Sequence, residues 1–245
     1  MLKAIIFDLD DTLFPQQSWL TGAWAAVAAA GAQWGAEEPL LCATLTAVAA
    51  LGSDQGHIMQ RALALLGLEG VVPVAPLVEA FRSHAPAALD VYPDVPGALQ
   101  AARRIGPTAI VTDGDPGIQW AKLNALDLAD QVDAIVMSDE HGRPFRKPHP
   151  LPFLTAAARL GVDASTVVVI GDRPAKDVAG AHAAGMRAIR VRRGEYANAP
   201  DVPTPWAAAD TTADAVHVAI RDWEAAPIPA GTGAETVRLG DRPGQ

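Results

Sequence analysis

Five short apolar runs recur along the chain, and their pattern predicts the strands of a sheet covered on both faces. They are rich in β-branched residues and almost free of polar positions, as expected for strands buried on both sides. The runs are Ala4–Phe7, Thr108–Val111, Ala134–Met137, Val167–Ile170 and Ala188–Val191. Helical stretches separate the last four, at Ile118–Leu128, Leu151–Leu160 and Ala175–Ala184. This alternation predicts an α/β fold with a doubly wound, parallel, Rossmann-like sheet. A strand at Trp206–Ala209 and a helix at Ala213–Trp223 extend the pattern.

Residues 8–107, which separate the first two strands, are too many for a single crossover connection. Apolar residues such as Leu20, Trp24 and Val27 follow helical spacing within this interval. We therefore expect an all-helical cap domain inserted at 15–91, with a core helix near Gly97–Arg104 after it. The catalytic core would comprise 1–14 and 92–226, and 227–245 would form a tail.

Composition and charge narrow the possible functions. Hydrophobic residues make up 50% of the chain and charged residues 19%, which favours a folded core over disorder. The net charge of −9 argues against nucleic acid as the main partner, whereas a bound metal and local cations can still attract a small anion. The single cysteine, Cys42, excludes a disulfide framework and is compatible with a cytoplasmic location.

Neither the amino terminus nor the first helical stretch has the features of a membrane-targeting segment. Only four apolar residues, Ala4–Phe7, precede Asp8, too few for a signal peptide. Polar residues interrupt the uncharged stretch at 12–36, so we expect a buried helix and no membrane partner.

Two carboxylates at the end of the first strand give the strongest functional signal. Asp8 and Asp10 lie two residues apart, so they can leave the strand toward the same side. Such a pair repels and is costly to bury unless a cation or a shared proton holds it. Ligands bind beyond the carboxyl ends of strands in open parallel sheets. Thr112-Asp113-Gly114 and Gly171-Asp172 occupy the corresponding ends of the second and fourth strands.

These motifs resemble the haloacid dehalogenase (HAD) superfamily, in its phosphatase branch with a helical cap after the first strand. Four short motifs match in order: Asp8-Leu9-Asp10-Asp11-Thr12, Thr112, Lys147 within Arg-Lys-Pro-His-Pro, and Gly171-Asp172 followed by Asp177. The resemblance spans the whole core, and the cap matches in position and helical character only.

The resemblance implies a role for each matching residue. Asp8 would attack phosphorus and form an aspartyl phosphate, while Asp10 would act as general acid and then general base. Mg²⁺ would be held by Asp8, the main-chain carbonyl of Asp10 and Asp172. Asp177 would be a direct ligand, an outer-shell partner or merely a solvated acid in the first turn of a helix. Asp172 could also serve as the N-cap of that helix.

The phosphoryl oxygens would be bound by a further set of groups. Thr112 would donate a hydrogen bond, assisted by the main-chain N–H groups of Asp113 and Gly114, and Lys147 would supply a cation. The family commonly has Asn at position 113, so a side-chain contact there is in doubt. An ordinary strand threonine remains the alternative for Thr112.

The expected function is a Mg²⁺-dependent phosphatase that acts on a small phosphorylated metabolite, as a monomer or homodimer. A phosphomutase of the same fold is an alternative, because it also uses a phosphoaspartate. A dehalogenase needs neither metal nor an acid at Asp10, and a non-catalytic binding protein would not need the complete residue set. Trp19, Trp24 and Trp34 would either border the substrate or pack against neighbouring helices.

Overall fold

The sheet has six parallel strands, which confirms the predicted α/β, doubly wound architecture. The computed structural model describes residues 1–52 and 56–223, so the tail predicted at 227–245 lies outside the described residues. The spatial order is β3-β2-β1-β4-β5-β6. The strands are β1 (Ala4–Phe7), β2 (Thr108–Thr112), β3 (Ala134–Met137), β4 (Val167–Gly171), β5 (Arg187–Val191) and β6 (Ala207–Ala209).

Strand register brings the carboxyl ends of the three central strands together. Phe7 at the end of β1 is paired with Ile110 on one side and Ile170 on the other. The residues that follow on each strand, beginning with Asp8 on β1, therefore emerge at one edge of the sheet. This is the edge at which open α/β sheets bind ligands.

Helices cover both faces of the sheet. α5 (Val95–Arg103), α6 (Pro116–Ala125) and α9 (Thr212–Asp222) pack on the face that carries Ile5 and Phe7. α7 (Leu151–Leu160) and α8 (Ala179–Ala183) pack on the face that carries Ala4 and Ile6. Because β1 is buried on both sides, it has the continuous apolar sequence that marks it as a central strand.

Four helices occupy the interval between β1 and α5. They are α1 (Gln16–Ala32), α2 (Glu38–Ala49), α3 (Ile58–Leu65) and α4 (Val74–Arg82). They share a hydrophobic cluster of their own that includes Trp24, Val27, Leu41, Leu45 and Leu77. The helical character of this interval agrees with the sequence pattern, while the domain boundaries at 14/15 and 91/92 remain a prediction. Within 1–52 and 56–223, no helix is both long and apolar enough to cross a membrane.

Two helices differ from the sequence prediction near the site. α6 begins at Pro116, before the predicted Ile118, because the Asp115 carboxylate caps it by accepting a hydrogen bond from the Gly117 N–H. The helix predicted at Ala175–Ala184 is divided into a π-helical turn at Pro174–Val178 and α8. π-helical turns often occur at functional sites, and this one carries Asp177.

Candidate active site

Three buried carboxylates form a compact cluster at the carboxyl edge of the sheet. Asp8 follows β1, Asp172 follows β4 and Asp177 lies in the π-helical turn. Each offers a carboxylate oxygen, and these oxygens all lie within 4.8 Å of one another. Gly171 permits this close approach, because a Cβ atom there would lie 2.5 Å from the Asp177 Cγ atom. The local sequence therefore packs Asp177 directly against the end of β4.

Lys147 lies inside the acidic cluster as its counter-charge. Its Nζ atom donates hydrogen bonds to Asp8 Oδ1, to Asp177 Oδ1 at 2.7 Å and to the Val111 carbonyl at 3.2 Å. Burial opposes the charge on the ammonium group, but attraction to Asp177 and Asp8 outweighs burial and raises the pKa of Lys147. Lys147 is therefore a fixed cation next to Asp8, as the sequence motif predicts.

The cluster has three carboxyl groups, more than the charge of one lysine can neutralise. Burial raises the pKa of Asp8 from 3.8 to about 7, although Lys147 acts in the opposite direction. Burial, followed by the charges of Asp177 and Asp8, raises the pKa of Asp172 well above its usual range. Asp172 Oδ1 is buried and has no hydrogen-bond partner. Buried carboxylates with a free oxygen are the ligands expected for a hard divalent cation, so the residues fit such an ion.

The two alternatives that the sequence leaves open for Asp172 and Asp177 are disfavoured by their positions. Arg173, not Asp172, precedes the π-helical turn, and no side chain caps it. Asp177 is 1% exposed, so it is not a solvated first-turn acid. Its Oδ1 accepts a hydrogen bond from Lys147, and its Oδ2 accepts one from the Arg173 N–H at 3.0 Å.

The carboxylate of Asp10 contacts a different pair of side chains. Its Oδ1 lies 2.6 Å from Lys122 Nζ, and its Oδ2 accepts a hydrogen bond from Gln119 Nε2 at 3.0 Å. Gln119 also donates to Thr112 Oγ1 at 2.5 Å. α6 thus fixes the position of Asp10 and connects it to the predicted phosphate-binding threonine.

The sequence pattern does not single out Gln119 or Lys122, although both are almost fully buried. They are three residues apart on α6, so they share one face of the helix. Two buried polar residues at this spacing, on the helix that follows Thr112, are the only sequence signal for their role. The Lys122 Nζ atom also lies 4.7 Å from the centroid of the Trp19 ring.

The side chain of Asp113 makes contacts within the site. The sequence comparison left such contacts in doubt because the family commonly has Asn at this position. Its Oδ1 accepts hydrogen bonds from Ser138 Oγ at 2.6 Å and from the Lys147 N–H at 3.0 Å. Lys176 Nζ lies 3.3 Å from its Oδ2. Burial works against the charge, yet Lys147 and the Ser138 hydrogen bond lower the pKa of Asp113. The carboxylate therefore holds the loop that positions Lys147.

Gly114 allows the backbone to turn at the end of β2. It adopts a φ of 129°, a conformation that residues with a Cβ atom rarely adopt. A Cβ atom there would lie 3.4 Å from the Gln119 side chain. The turn therefore lets the Asp113–Gly114 segment follow the sheet edge beside Thr112, and its phosphate-binding role stays a prediction.

Asp11 connects the beginning of α1 with the loop after β5. Its Oδ1 accepts a hydrogen bond from the Gln16 N–H at 2.9 Å, and its Oδ2 accepts one from the Glu195 N–H at 3.1 Å. Gly194 lies against it, since a Cβ atom there would be 2.0 Å from the Asp11 Cγ atom. The entrance to the helical insertion is therefore anchored next to the acidic cluster.

Two connected cavities adjoin these residues. A recess of about 150 Å³ is lined by Asp8, Thr112, Lys147 and Asp172 among others. A larger cavity of about 640 Å³ lies between the helical insertion and the sheet edge. Asp10 lines both, so it stands where the recess meets the larger cavity.

A parallel sheet whose central strands end in a buried Asp–Lys cluster, with a helical insertion after the first strand, defines the HAD class of hydrolases. A model of the haloacid dehalogenase-like hydrolase family matches residues 2–185, and the chain belongs to this family. The family expected from the motifs is thus confirmed.

Named relatives support the hydrolase assignment. The chain is 36% identical to a glyceraldehyde 3-phosphate phosphatase of Methanopyrus kandleri over 83% of this chain and 91% of that protein. It is 33% identical to a phosphoglycolate phosphatase of Rhodospirillum rubrum over 82% and 83%, respectively. Among solved structures, a 2-haloacid dehalogenase from Pseudomonas syringae matches with a TM-score of 0.62 and 27% identity, over 90% of this chain and 99% of that one.

Proposed function

We propose that this chain is a Mg²⁺-dependent phosphatase that hydrolyses a small phosphorylated metabolite through a phosphoaspartate on Asp8. The observation that carries the proposal is the buried cluster of Asp8, Asp172, Asp177 and Lys147 beside a recess of about 150 Å³. The names of the curated relatives, which describe phosphatases of small phosphorylated compounds, support it.

The donor set favours Mg²⁺ over softer metals because every candidate ligand is a hard oxygen. Asp8, Asp172 and the main-chain carbonyl of Asp10 would hold the ion. Asp177, whose two oxygens are engaged by Lys147 and the Arg173 N–H, would act as an outer-shell partner. The bound ion would neutralise negative charge on the phosphoryl oxygens.

The protein groups would carry the group transfer and the proton transfers. The Asp8 carboxylate attacks phosphorus, and the bond between phosphorus and the alcohol oxygen breaks. Asp10 donates its proton to the departing alkoxide. Asp10 then removes a proton from water, which attacks the phosphoaspartate, releases phosphate and restores Asp8. Lys122 and Gln119 position Asp10 for both steps.

Phosphoryl oxygens would be bound by Lys147, Thr112 and the N–H groups of Asp113 and Gly114. Thr112 Oγ1 accepts a hydrogen bond from Gln119, so its own proton is directed elsewhere and is available to an anion. Lys147 already contacts Asp8, and it would therefore stabilise the charge that passes between nucleophile and phosphate.

Of three alternative functions, the phosphomutase fits the site equally well and is distinguished by its product, whereas the other two fit less well. A phosphomutase needs the same residues, and it would yield an isomerised sugar phosphate in place of free phosphate. A dehalogenase, the activity named for the Pseudomonas syringae structural relative among others, has no use for the Asp172 charge or for an Asp10 held by Lys122. A binding protein would have no reason to bury an acidic cluster at a cost in stability.

The test is phosphate release from a panel of phosphorylated metabolites and a generic aryl phosphate. Asp8→Asn should abolish turnover, and Asp10→Asn should lower it by about 10²- to 10⁴-fold, the usual contribution of general acid–base catalysis. Chelation should abolish activity and added Mg²⁺ should restore it. Asp90→Asn is a matched control, because Asp90 is exposed and distant in sequence from the motifs. Undiminished turnover by Asp8→Asn would refute the proposal.

A further inference from the structure

The larger cavity has walls that are mainly aromatic and aliphatic. The larger apolar side chains in its lining are Trp19, Leu20, Trp24, Ile58, Phe81 and Ile118, and Pro15, Ala49 and Ala50 add smaller ones. The rings pack against one another, with 5.0 Å between the centroids of Trp19 and Phe81 and 4.8 Å between those of Trp24 and Phe81. Trp19 and Trp24 therefore pack against a neighbouring helix, as one of the two sequence-based alternatives predicts, and they also line the cavity.

Charged groups around this cavity are already paired. Among the residues that the structure describes, Lys122 is the one cation in the lining, and it is engaged by Asp10. Four of the lining acids also have partners: Asp10 binds Lys122, Asp11 accepts two N–H groups, Asp113 pairs with Lys176, and Asp115 lies 3.9 Å from Arg82. Within the part of the chain that the structure describes, the cavity lining therefore has no lysine or arginine besides Lys122, which Asp10 already binds, and no group of unpaired acids for a cation.

Three arginines, Arg82, Arg143 and Arg146, line an adjoining groove of about 390 Å³ that shares Trp24, Phe81 and Ile118 with the larger cavity. Arg82 lies 3.9 Å from Asp115, and Arg146, which also lines the smaller recess, pairs with Asp139. None of the three arginines lines the larger cavity itself. A carboxylate one or two carbons from the ester oxygen, as in phosphoglycolate, would enter the larger cavity next to Asp10 and Asp11. It would meet like charge there, which is costly in a partly buried site.

The size of the cavity indicates a bulky leaving group. A water molecule takes about 30 Å³, so about 640 Å³ corresponds to roughly 20 waters. A two- or three-carbon polar alcohol would leave most of this volume unfilled. Gln16, Gln17 and Tyr92 supply polar groups on part of the lining, whereas the part formed by Trp24, Phe81 and Ile118 offers a hydroxyl group few hydrogen-bond partners.

We infer that the substrate is a phosphate monoester of an uncharged alcohol that carries an apolar ring or branched alkyl face. This inference rests on the proposed phosphatase function and specifies its substrate class. The phosphate would enter the smaller recess at Asp8, and the apolar face of the alcohol would lie against Trp24, Phe81 and Ile118. The alcohol of this substrate differs from the alcohols named for the curated relatives, which are small and polar.

Matched substrates test this inference. Benzyl phosphate and glycerol 3-phosphate have leaving groups of similar basicity, so their comparison reports on binding and not on intrinsic reactivity. We expect kcat/KM for benzyl phosphate to exceed the values for glycerol 3-phosphate, phosphoglycolate and phosphocholine by at least about tenfold, the scale of a small apolar contact in a pocket. An equal or higher value for any of those three would overturn the inference. Absence of phosphate release from every substrate would refute the proposed function itself, and the inference with it.

A charge-insertion variant gives a second test that does not depend on the native substrate. Ile58→Arg places a cation in the cavity wall, and Leu65→Arg places the same charge on the exposed side of the same helix. Ile58→Arg should lower kcat/KM for benzyl phosphate and raise it for phosphoglycolate, each by at least about tenfold. Leu65→Arg should leave both values unchanged.

Folding of the Ile58→Arg variant can be checked independently. Far-ultraviolet circular dichroism and the unfolding temperature report whether the variant keeps the wild-type fold. Unchanged preference for benzyl phosphate in a folded Ile58→Arg protein would show that the cavity does not hold the leaving group. If the Ile58→Arg variant loses all activity and unfolds at a lower temperature, the comparison of the four substrates on the wild-type protein decides the inference alone.

Discussion

Replacing Asp172 with Asn should stabilise the metal-free protein while it removes activity. Asp172 is 1% exposed, and its Oδ1 lacks a hydrogen-bond partner. Burial, followed by the charges of Asp177 and Asp8, raises its pKa well above 3.8. The Asn side chain has nearly the same shape, so the substitution removes the charge without creating a cavity. Stability gained at the expense of function is the behaviour expected of a site built for a cation.

The size of the effect follows from the geometry. Two unit charges 4.8 Å apart repel by about 3 kcal/mol at an effective dielectric constant of 20. Asp172 has two such neighbours, Asp8 and Asp177, but Asp8, with a pKa of about 7, is charged only in part, and attraction to Lys147 acts in the opposite direction. The stability gained by Asp172→Asn cannot exceed about 5 kcal/mol, because the wild-type protein can instead protonate Asp172. That limit is the free-energy cost of protonating a carboxylate of pKa 3.8 at pH 7.5. We therefore expect a gain of about 3 kcal/mol in the free energy of unfolding.

Urea unfolding in chelator-treated buffer at pH 5 and pH 7.5 measures this gain. Asp8 and Asp172 have raised pKa values, so the folded chain retains protons that the unfolded chain has released. The two groups contribute their full stabilisation of the fold below about pH 4, where they are protonated in the unfolded chain as well. This stabilisation is lost as pH rises through the pKa of each group in the folded state, which is about 7 for Asp8. The free energy of unfolding of the wild type should therefore fall between pH 5 and pH 7.5, and that of the Asp172→Asn protein should fall less.

Two controls make the result decisive. Asp90→Asn removes the same charge from an exposed position and should change stability by less than about 0.5 kcal/mol. Mg²⁺ at 100 times its dissociation constant should stabilise the wild type by about 2.7 kcal/mol and Asp172→Asn by much less. A metal-free Asp172→Asn protein that is less stable than the wild type, or an equal response of both proteins to Mg²⁺, would refute the reasoning.

Two further substitutions test the positions of the other site residues. Lys122→Met should lower kcat by about 10- to 100-fold with little change in KM, because Asp10 loses the group that positions it, and Lys122→Arg should restore part of the loss. Unchanged kcat in a folded Lys122→Met protein would contradict this role. Gly171→Ala should destabilise the fold by about 1–3 kcal/mol and reduce turnover, because its Cβ would lie 2.5 Å from the Asp177 Cγ atom. Gly97→Ala, in a helix with open space around the position, should instead be neutral or stabilising in the same unfolding assay.

The strand pattern predicts the sheet and its functional edge because burial on both faces leaves a strong sequence signal. Ala4–Phe7 and Ala134–Met137 have the same bounds in the sequence prediction and in the structure. The place of Asp8 and Asp172 in the site can be predicted from the ends of the strands alone, because parallel strands bring their carboxyl ends to one edge of the sheet. This part of the site depends on local sequence and on topology that local sequence determines.

The features of the site that the sequence does not predict depend on contacts between residues far apart in the chain. Lys122 and Asp10 are 112 positions apart, and nothing in the sequence near Lys122 distinguishes a buried ion pair from a solvated lysine on a helix. The π-helical turn at Pro174–Val178 has residues compatible with an ordinary α-helix, so its irregular backbone reflects the packing of Asp177 against Gly171. The apolar cavity likewise arises only when α1 and α4 pack together over the sheet edge.

The most direct test of the account is to identify the residue that accepts the phosphoryl group. Asp10→Asn should slow hydrolysis of the intermediate, so a brief incubation with substrate and Mg²⁺ followed by acid quenching should trap it. Mass spectrometry of the digested protein should then find one phosphoryl group on the peptide that contains Asp8, and none in the Asp8→Asn/Asp10→Asn double variant. Rapid turnover without a phosphoryl group at Asp8, or a phosphoryl group that persists in the double variant, would contradict the account.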